Sequence, residues 1–136
     1  MENDKRKQAI AAIIQKSDKF LFVKRSDYKE VAKGYWCPVT GHIEEGETQE
    51  EAVQREVLEE VGMEVIADRK VCQIPTHDDE YTLHFWTTRI ISGEASIMSH
   101  ESTELRWLTR EELKHLEPAF DEDIEVHLQI DSSGAE

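Results

Sequence analysis

Residues 41–63, GHIEEGETQEEAVQREVLEEVGM, set carboxylates where a helix tolerates them least. The apolar residues of this segment follow helical spacing, and Glu56, Glu59 and Glu60 then stand at i, i+3 and i+4 on a face beside the apolar one. Like charges so placed destabilise a helix by roughly a few tenths of a kcal/mol per pair. Glu59 and Glu60 also fall in the last turn, against the negative end of the helix dipole. An arrangement this unfavourable on its own asks for a metal ion. Mg2+ suits it, because it takes oxygen ligands, keeps several waters and completes its coordination with substrate phosphates. The opposing reading is a solvated acidic face, which a chain with 30 Asp+Glu can easily present. That reading accounts for the charge but not for the placement of Gly41, Glu47, Arg55 and Gly62 around the three glutamates. As a mere surface partner of Glu59, Arg55 would contribute only about 0.3–0.5 kcal/mol.

The elements that must position these residues can be read on either side. Thr48 and Glu51 form a Thr-x-x-Glu capping box that starts the helix, and Gly62 stops it by accepting a left-handed backbone. Val53, Val57 and Val61, with Leu58 beside them, give it one apolar stripe for a core. Upstream, residues 8–15 and 20–24 read as paired strands around a turn at 16–19, followed by a loop over 26–34 and a short strand over 35–39. Downstream, extended structure is expected at 64–67, 71–75 and 81–91, with a polar loop over 76–80 and a turn at 92–94. A further strand is expected at 104–108. Thr109, with Glu112, caps a short helix, and a last helix over 118–130 uses Phe120, Ile124 and Leu128. The arm of residues 1–7 is polar, and 131–136 should fray.

With 136 residues and no linker or internal repeat, the chain is expected to form a single domain over 1–136. A hydrophobic content of 38% argues against disorder through its body. The net charge of -14 repels nucleic-acid backbones, so a polyphosphate substrate would have to arrive partly neutralised, as its magnesium complex. Cys37 and Cys72 show no metal-ligand spacing and no disulfide framework. The apolar block at 9–14 is too short to span a membrane, and no secretory segment precedes it. The expected setting is the reducing cytoplasm, with neither a nucleic-acid nor a membrane partner.

The spacing Gly41, five residues, Glu47, seven residues, Arg55-Glu56-Val57, one residue, Glu59-Glu60, one residue, Gly62-Met63 resembles the signature of the Nudix hydrolases. The resemblance implies an α/β fold, an α/β/α sandwich with a mixed central sheet and a catalytic loop-helix-loop, and the order of elements follows that fold over about residues 8–116. It implies Mg2+ as cofactor, with Mn2+ able to substitute. Glu56, Glu59 and Glu60 match the family's metal-binding glutamates, Glu47 a glutamate supporting the site, and the carbonyl of Thr40 a backbone ligand. Arg55 matches an arginine that orients a carboxylate. A general base often lies outside the box in this family, and Glu101 has the expected spacing for that role or for a further metal ligand. Glu104 and Glu56 are its rivals, and His100 is a weaker one. Arg25 resembles a family arginine that meets substrate phosphates, although a surface role fits it as well. Tyr35 and Trp36 could flank a base or fill the core. Tyr81 has a placement that in some Nudix groups accompanies dinucleoside polyphosphates, although a tyrosine starting a strand needs no such reason.

The lead-in WCPVTGHIEEGE looks closer to that of pterin and nucleoside triphosphate pyrophosphohydrolases than to that of sugar-nucleotide enzymes. The expected activity is Mg2+-dependent cleavage of a small nucleoside triphosphate, or a related nucleoside diphosphate-linked compound, to a monophosphate and pyrophosphate or phosphate. The alternatives are a dinucleoside polyphosphate hydrolase and a nucleotide-sensing domain without turnover. An RNA-decapping role is opposed by the charge. The expected partner is a small nucleotide polyphosphate, bound by a monomer or a homodimer.

Overall fold

The computed structural model describes residues 5–26, 32–76 and 78–130. Most of the polar arm, part of the expected 26–34 loop and the 131–136 tail lie outside the described residues. The run from Ala9 to Ile14 contains no polar residue that could mark an outer face. Strand β1 (Lys7–Ile13) is accordingly covered on both sides. Ile10 and Ala12, with Ile14 beyond them, face one core cluster, while Ala11 and Ile13 face another. A strand buried on both faces belongs inside a sheet. β1 pairs antiparallel with β5 (Val39–His42) and parallel with β7 (Tyr81–Ser92), and β7 pairs antiparallel with β6 (Glu64–Pro75). The result is a mixed sheet in the order β5-β1-β7-β6.

A second sheet forms around β3 (Lys19–Arg25). It pairs along its length with β8 (Ser102–Thr109) and toward its ends with β2 (Gln15–Lys16) and β4 (Trp36–Cys37), all antiparallel. Helix α1 (Gln49–Val61) lies over the first cluster through Ala52, Val53, Val57 and Val61, each fully buried. Burying a valine to that extent stabilises by about 1.5 kcal/mol or more. The short α2 (Arg110–Leu113) and α3 (Asp121–Leu128) bring Leu113 and Val126 to the second cluster. Helices therefore cover both faces, which is the α/β/α arrangement expected.

The structure departs from the sequence reading in five places. The strands expected as partners at 8–15 and 20–24 do not pair along their length: β1 is taken up by β5 and β7 in the first sheet, and only the short β2 after it pairs with β3, at Gln15–Phe20 and Lys16–Lys19. The strand expected over 35–39 is broken at Pro38, which has no N–H for a ladder; β4 before it joins the second sheet and β5 after it the first. The strands expected at 64–67 and 71–75 are one strand, β6, because bulged register against β7 carries the polar stretch between them. β8 begins at Ser102, two residues before the expected start at 104. The last helix begins at Asp121, not at 118, because the preceding chain runs beside β4: Trp36 bridges Ala119 and its N–H donates to the Pro118 carbonyl at 2.9 Å.

The ends of α1 follow the sequence closely. Both hydrogen bonds of the Thr48–Glu51 capping box form, and Gly62 takes the left-handed conformation at φ 75°. Two last-turn carbonyls, which a helix leaves without partners, are met from another element: Met98 N–H donates to the Glu60 carbonyl and Ser96 N–H to that of Val61. The segment leading into β8 is thereby tied to the end of α1.

Candidate active site

Arg55 organises the start of the site. Its Nε and Nη2 hold the two carboxylate oxygens of Glu47 at 2.7 and 3.1 Å, and Nη1 reaches Glu56 at 3.0 Å and Glu59 at 3.2 Å. Nη2 also donates to the His42 carbonyl at 2.9 Å, which fixes the helix against β5. A rigid planar fork with five donors can serve these five contacts at once, whereas a lysine ammonium has only three donors. The hydrogen bond from Arg55 is the main reason Glu47 is held below the usual carboxylate range, and bonding to Glu47 in turn raises Arg55 still further, so that it stays cationic.

Glu56 lies flat against β5 because residue 41 is a glycine. A Cβ there would sit 2.0 Å from the Glu56 carboxyl carbon, far inside contact distance. Burial raises the Glu56 pKa; Arg55 opposes the shift, and repulsion from Glu59 and Glu101 adds to it. Glu60, also on α1, is buried with 6% exposure and accepts a hydrogen bond from Ser102 Oγ at 3.2 Å. Burial first, and then the neighbouring Glu101 carboxyl, push Glu60 up to about 7, against the lowering effect of Ser102. Glu60, Glu101 and Ser102 line one cleft with Thr40 and Arg25, floored by Val23, Cys37 and Pro38. Burial, followed by the charge of Asp123, drives the Cys37 thiol up to about 12, which leaves it an inert part of that floor.

The carboxylates fit a hard divalent cation by their chemistry. All are oxygen donors, and Glu56, Glu60 and Glu101 repel one another in a partly buried place where a positive ion would relieve them. Among the described residues no three His, Cys, Asp or Glu side chains are disposed to close on one ion. Glu47, Glu56 and Glu59 are instead turned onto Arg55.

Of the residues singled out in the sequence, Arg25, Thr40, Glu60 and Glu101 meet at the cleft, and Glu47, Glu56 and Glu59 meet at Arg55. Tyr81 stands elsewhere: its hydroxyl lies 3.2 Å from His42 Nε2 and the Lys7 ammonium lies over its ring. Glu104 pairs with Lys24 at 3.7 Å, and His100 sits exposed in the turn before Glu101. Trp36 is 5% exposed and belongs to the second core cluster, where Arg106 covers its ring; Tyr35 packs on Phe120. The sequence reading passed over Ser102 and the His42 carbonyl. Neither carries a composition signal, since one depends on strand register and the other is backbone.

A mixed sheet between helices, with a capped helix delivering carboxylates to a cleft, defines the class. The family model described as NUDIX domain matches residues 5–128, and the chain belongs to the Nudix hydrolase family. Members of that family generally depend on a divalent metal. A protein of Bacillus subtilis (strain 168), described as a candidate 8-oxo-dGTP diphosphatase, is 33% identical over 103 residues, covering 74% of this chain and 64% of its own length. This chain thus spans just under two thirds of that relative. The nucleoside triphosphatase NudI of Enterobacter sp. (strain 638) is 29% identical over 120 residues, covering 79% of this chain and 85% of its own. The crystal structure of a MutT Nudix hydrolase from Burkholderia pseudomallei shares the fold with a TM-score of 0.78 at 21% identity, covering 93% of this chain and 98% of that one. No helix among the described residues is long and apolar enough to cross a membrane.

Proposed function

We propose that this Nudix hydrolase is a Mg2+-dependent pyrophosphohydrolase acting on a small nucleoside triphosphate or a related nucleoside diphosphate-linked compound, with a monophosphate and pyrophosphate or phosphate as products. The observation that carries the proposal is the convergence of Glu60 and Glu101 with Arg25 and Thr40 on one cleft, beside Glu56. Glu56, Glu59 and Glu60, with the Thr40 carbonyl, would hold Mg2+, which supplies neutralisation of phosphate oxygens and a water of lowered pKa. Mn2+ shares these ligand preferences and should substitute. Glu101 takes the proton of the attacking water, and its place beside Glu60 suits that role. Arg25 meets phosphate charge in the same cleft, where a guanidinium fork matches phosphate oxygens. Arg55 stays cationic and keeps Glu47 and Glu56 in place. The relatives' names favour a nucleoside triphosphate as substrate.

The test is a panel of nucleoside triphosphates, a pterin triphosphate, diadenosine polyphosphates and nucleotide sugars, each with Mg2+, with phosphate and pyrophosphate read separately. A triphosphate should be preferred and should release pyrophosphate. Preference for a diadenosine polyphosphate would replace this reading with that of a dinucleoside polyphosphate hydrolase. Tight binding of a nucleotide without turnover would make the chain a sensor.

A further inference from the structure

The alternation of β8 points to a residue that the proposed mechanism does not use. Lys19 to Lys24 of β3 pair one-to-one with Thr109 to Glu104 of β8, and then the register slips, so that Arg25 pairs with Ser102. Thr103 is the extra residue of a β-bulge. Side chains on a strand alternate between faces, and paired residues in an antiparallel ladder share a face. Leu105 and Trp107 pack toward the α1 side, as do Leu21 and Val23 opposite them. Unbroken alternation would therefore give that face to Thr103 and turn Ser102 away from it. The bulge reverses this: Thr103 is exposed, while Ser102 is buried with 7% exposure and lines the cleft beside Arg25.

We propose that Ser102 is a positioning residue for Glu60, brought to it by the bulge at Thr103. The proposal rests on the reading of Glu60 as a metal ligand. Ser102 Oγ donates to Glu60 Oε1 at 3.2 Å with both residues buried, and the Glu101 carboxyl, which shares their cleft, sets a like charge against Glu60. A donor on one oxygen holds the carboxylate against that repulsion and leaves the second oxygen to face a cation. The hydroxyl is itself held in place. Met98 N–H bonds the Glu60 carbonyl, Ser26 N–H bonds the Glu101 carbonyl, and Glu101 N–H bonds Ser99 Oγ at 3.0 Å. The turn before β8 is thus fastened to the end of α1 and to the end of β3, so the donor and its acceptor keep their separation.

The experiment compares the full chain with Ser102→Ala, Ser102→Thr, Ser102→Cys and Glu60→Gln. Two readouts are taken: Mn2+ binding without substrate, from the loss of the free-ion EPR signal, and the Mg2+ concentration giving half-maximal rate at saturating nucleotide. A hydrogen bond to a charged group at this site should make Ser102→Ala bind Mn2+ about tenfold more weakly and need about tenfold more Mg2+. Ser102→Thr, which keeps the hydroxyl, should stay within about twofold of the wild type, and Ser102→Cys, of similar size but a weak donor, should shift toward Ser102→Ala. Should Ser102→Ala fold poorly, the contrast between Thr and Cys carries the same test. Mn2+ bound no more tightly by the wild type than by Ser102→Ala overturns the proposal, as do equal losses in the Ala and Thr variants. If Glu60→Gln binds Mn2+ like the wild type, the ligand reading of Glu60 fails first and takes this proposal with it.

Discussion

At the scale of single residues, the two acidic side chains near the start of β8 separate by direction. Glu101 reaches the cleft and Glu60, whereas Glu104 pairs with Lys24 on the other side of the strand. A base acting only in the transition state affects kcat and kcat/KM together. Glu101→Gln should therefore lower both by at least about tenfold with KM little changed, while Glu104→Gln should stay within a fewfold of the wild type. Steady-state kinetics decide, and a crippled Glu104→Gln beside a normal Glu101→Gln would reverse the assignment. If both are nearly normal, Glu56 becomes the base. Gly41 makes a different prediction. Its absent Cβ leaves the space that the Glu56 carboxyl occupies, and that carboxyl is the end of a flexible side chain that can swing away. Gly41→Ala should thus displace Glu56 without unfolding the protein: activity should fall by at least about tenfold, equivalent to about 1.4 kcal/mol of transition-state stabilisation, with the melting temperature shifted by only a few degrees. A large fall in melting temperature with activity per folded molecule intact would contradict it.

At the scale of elements, α1 is the test of whether a helix can be built against its own electrostatics for the sake of a ligand. No basic residue lies in its last turn, and Glu59 and Glu60 oppose the dipole there. Glu59→Gln and Glu60→Gln should each remove at least about a hundredfold of kcat, about 2.7 kcal/mol. For the exposed Glu59 the same change should leave the metal-free melting temperature equal or slightly raised. Near-wild-type turnover by either variant in saturating Mg2+ would remove that residue from the ligand set. Much of this helix could be read beforehand, because a capping box, a valine stripe and a terminating glycine are local signals. The strands were less legible for a physical reason. Pro38 breaks one strand into two that serve different sheets, bulges merge two expected strands into β6, and the slip at Thr103 decides which way Ser102 points. Pro38 itself is a local signal, but the sheet that each half joins, the bulges of β6 and the slip in β8 depend on the partner strand, which no local pattern encodes. The candidate site divides in the same way: the glutamates and Arg55 stand in the box, while Ser102 is placed by register alone.

At the scale of the whole molecule, charge governs how stability responds to solution conditions. On the proposed ligand reading, a chain of net charge -14 with a carboxylate cluster at one helix should be stabilised by Mg2+ beyond general screening, since the folded cluster would bind it and the unfolded chain would not. Millimolar MgCl2 should raise the melting temperature more than NaCl at matched ionic strength, and equal shifts would mean that the cluster binds metal only together with substrate. A second dependence comes from α3, where two buried groups respond to pH in opposite directions. Burial pushes Asp123 up from 3.8 to about 7; Glu122 adds to the shift and Arg25 opposes it. Burial lowers His127 from 6.5 to about 4, against its hydrogen bond to the Asp123 carbonyl, and its ring lies between Phe20 and Phe22. Proton linkage fixes the signs. A raised carboxyl favours folding below its unfolded value, and the benefit is lost as pH rises from about 3.8 to about 7, because the unfolded chain ionises first. A depressed imidazole favours folding above 6.5, and the benefit is lost as pH falls to about 4, because the unfolded chain takes up the proton first. Asp123→Asn, which cannot ionise, should therefore gain stability relative to the wild type as pH rises from 4 to 8, and His127→Gln should gain relative to the wild type as pH falls over the same range. The measurement is the difference in melting temperature, variant minus wild type, across that range without metal. Two flat differences would show that neither group titrates within the folded core, and slopes of the opposite sign would show that both groups are charged where the packing of α3 places them neutral.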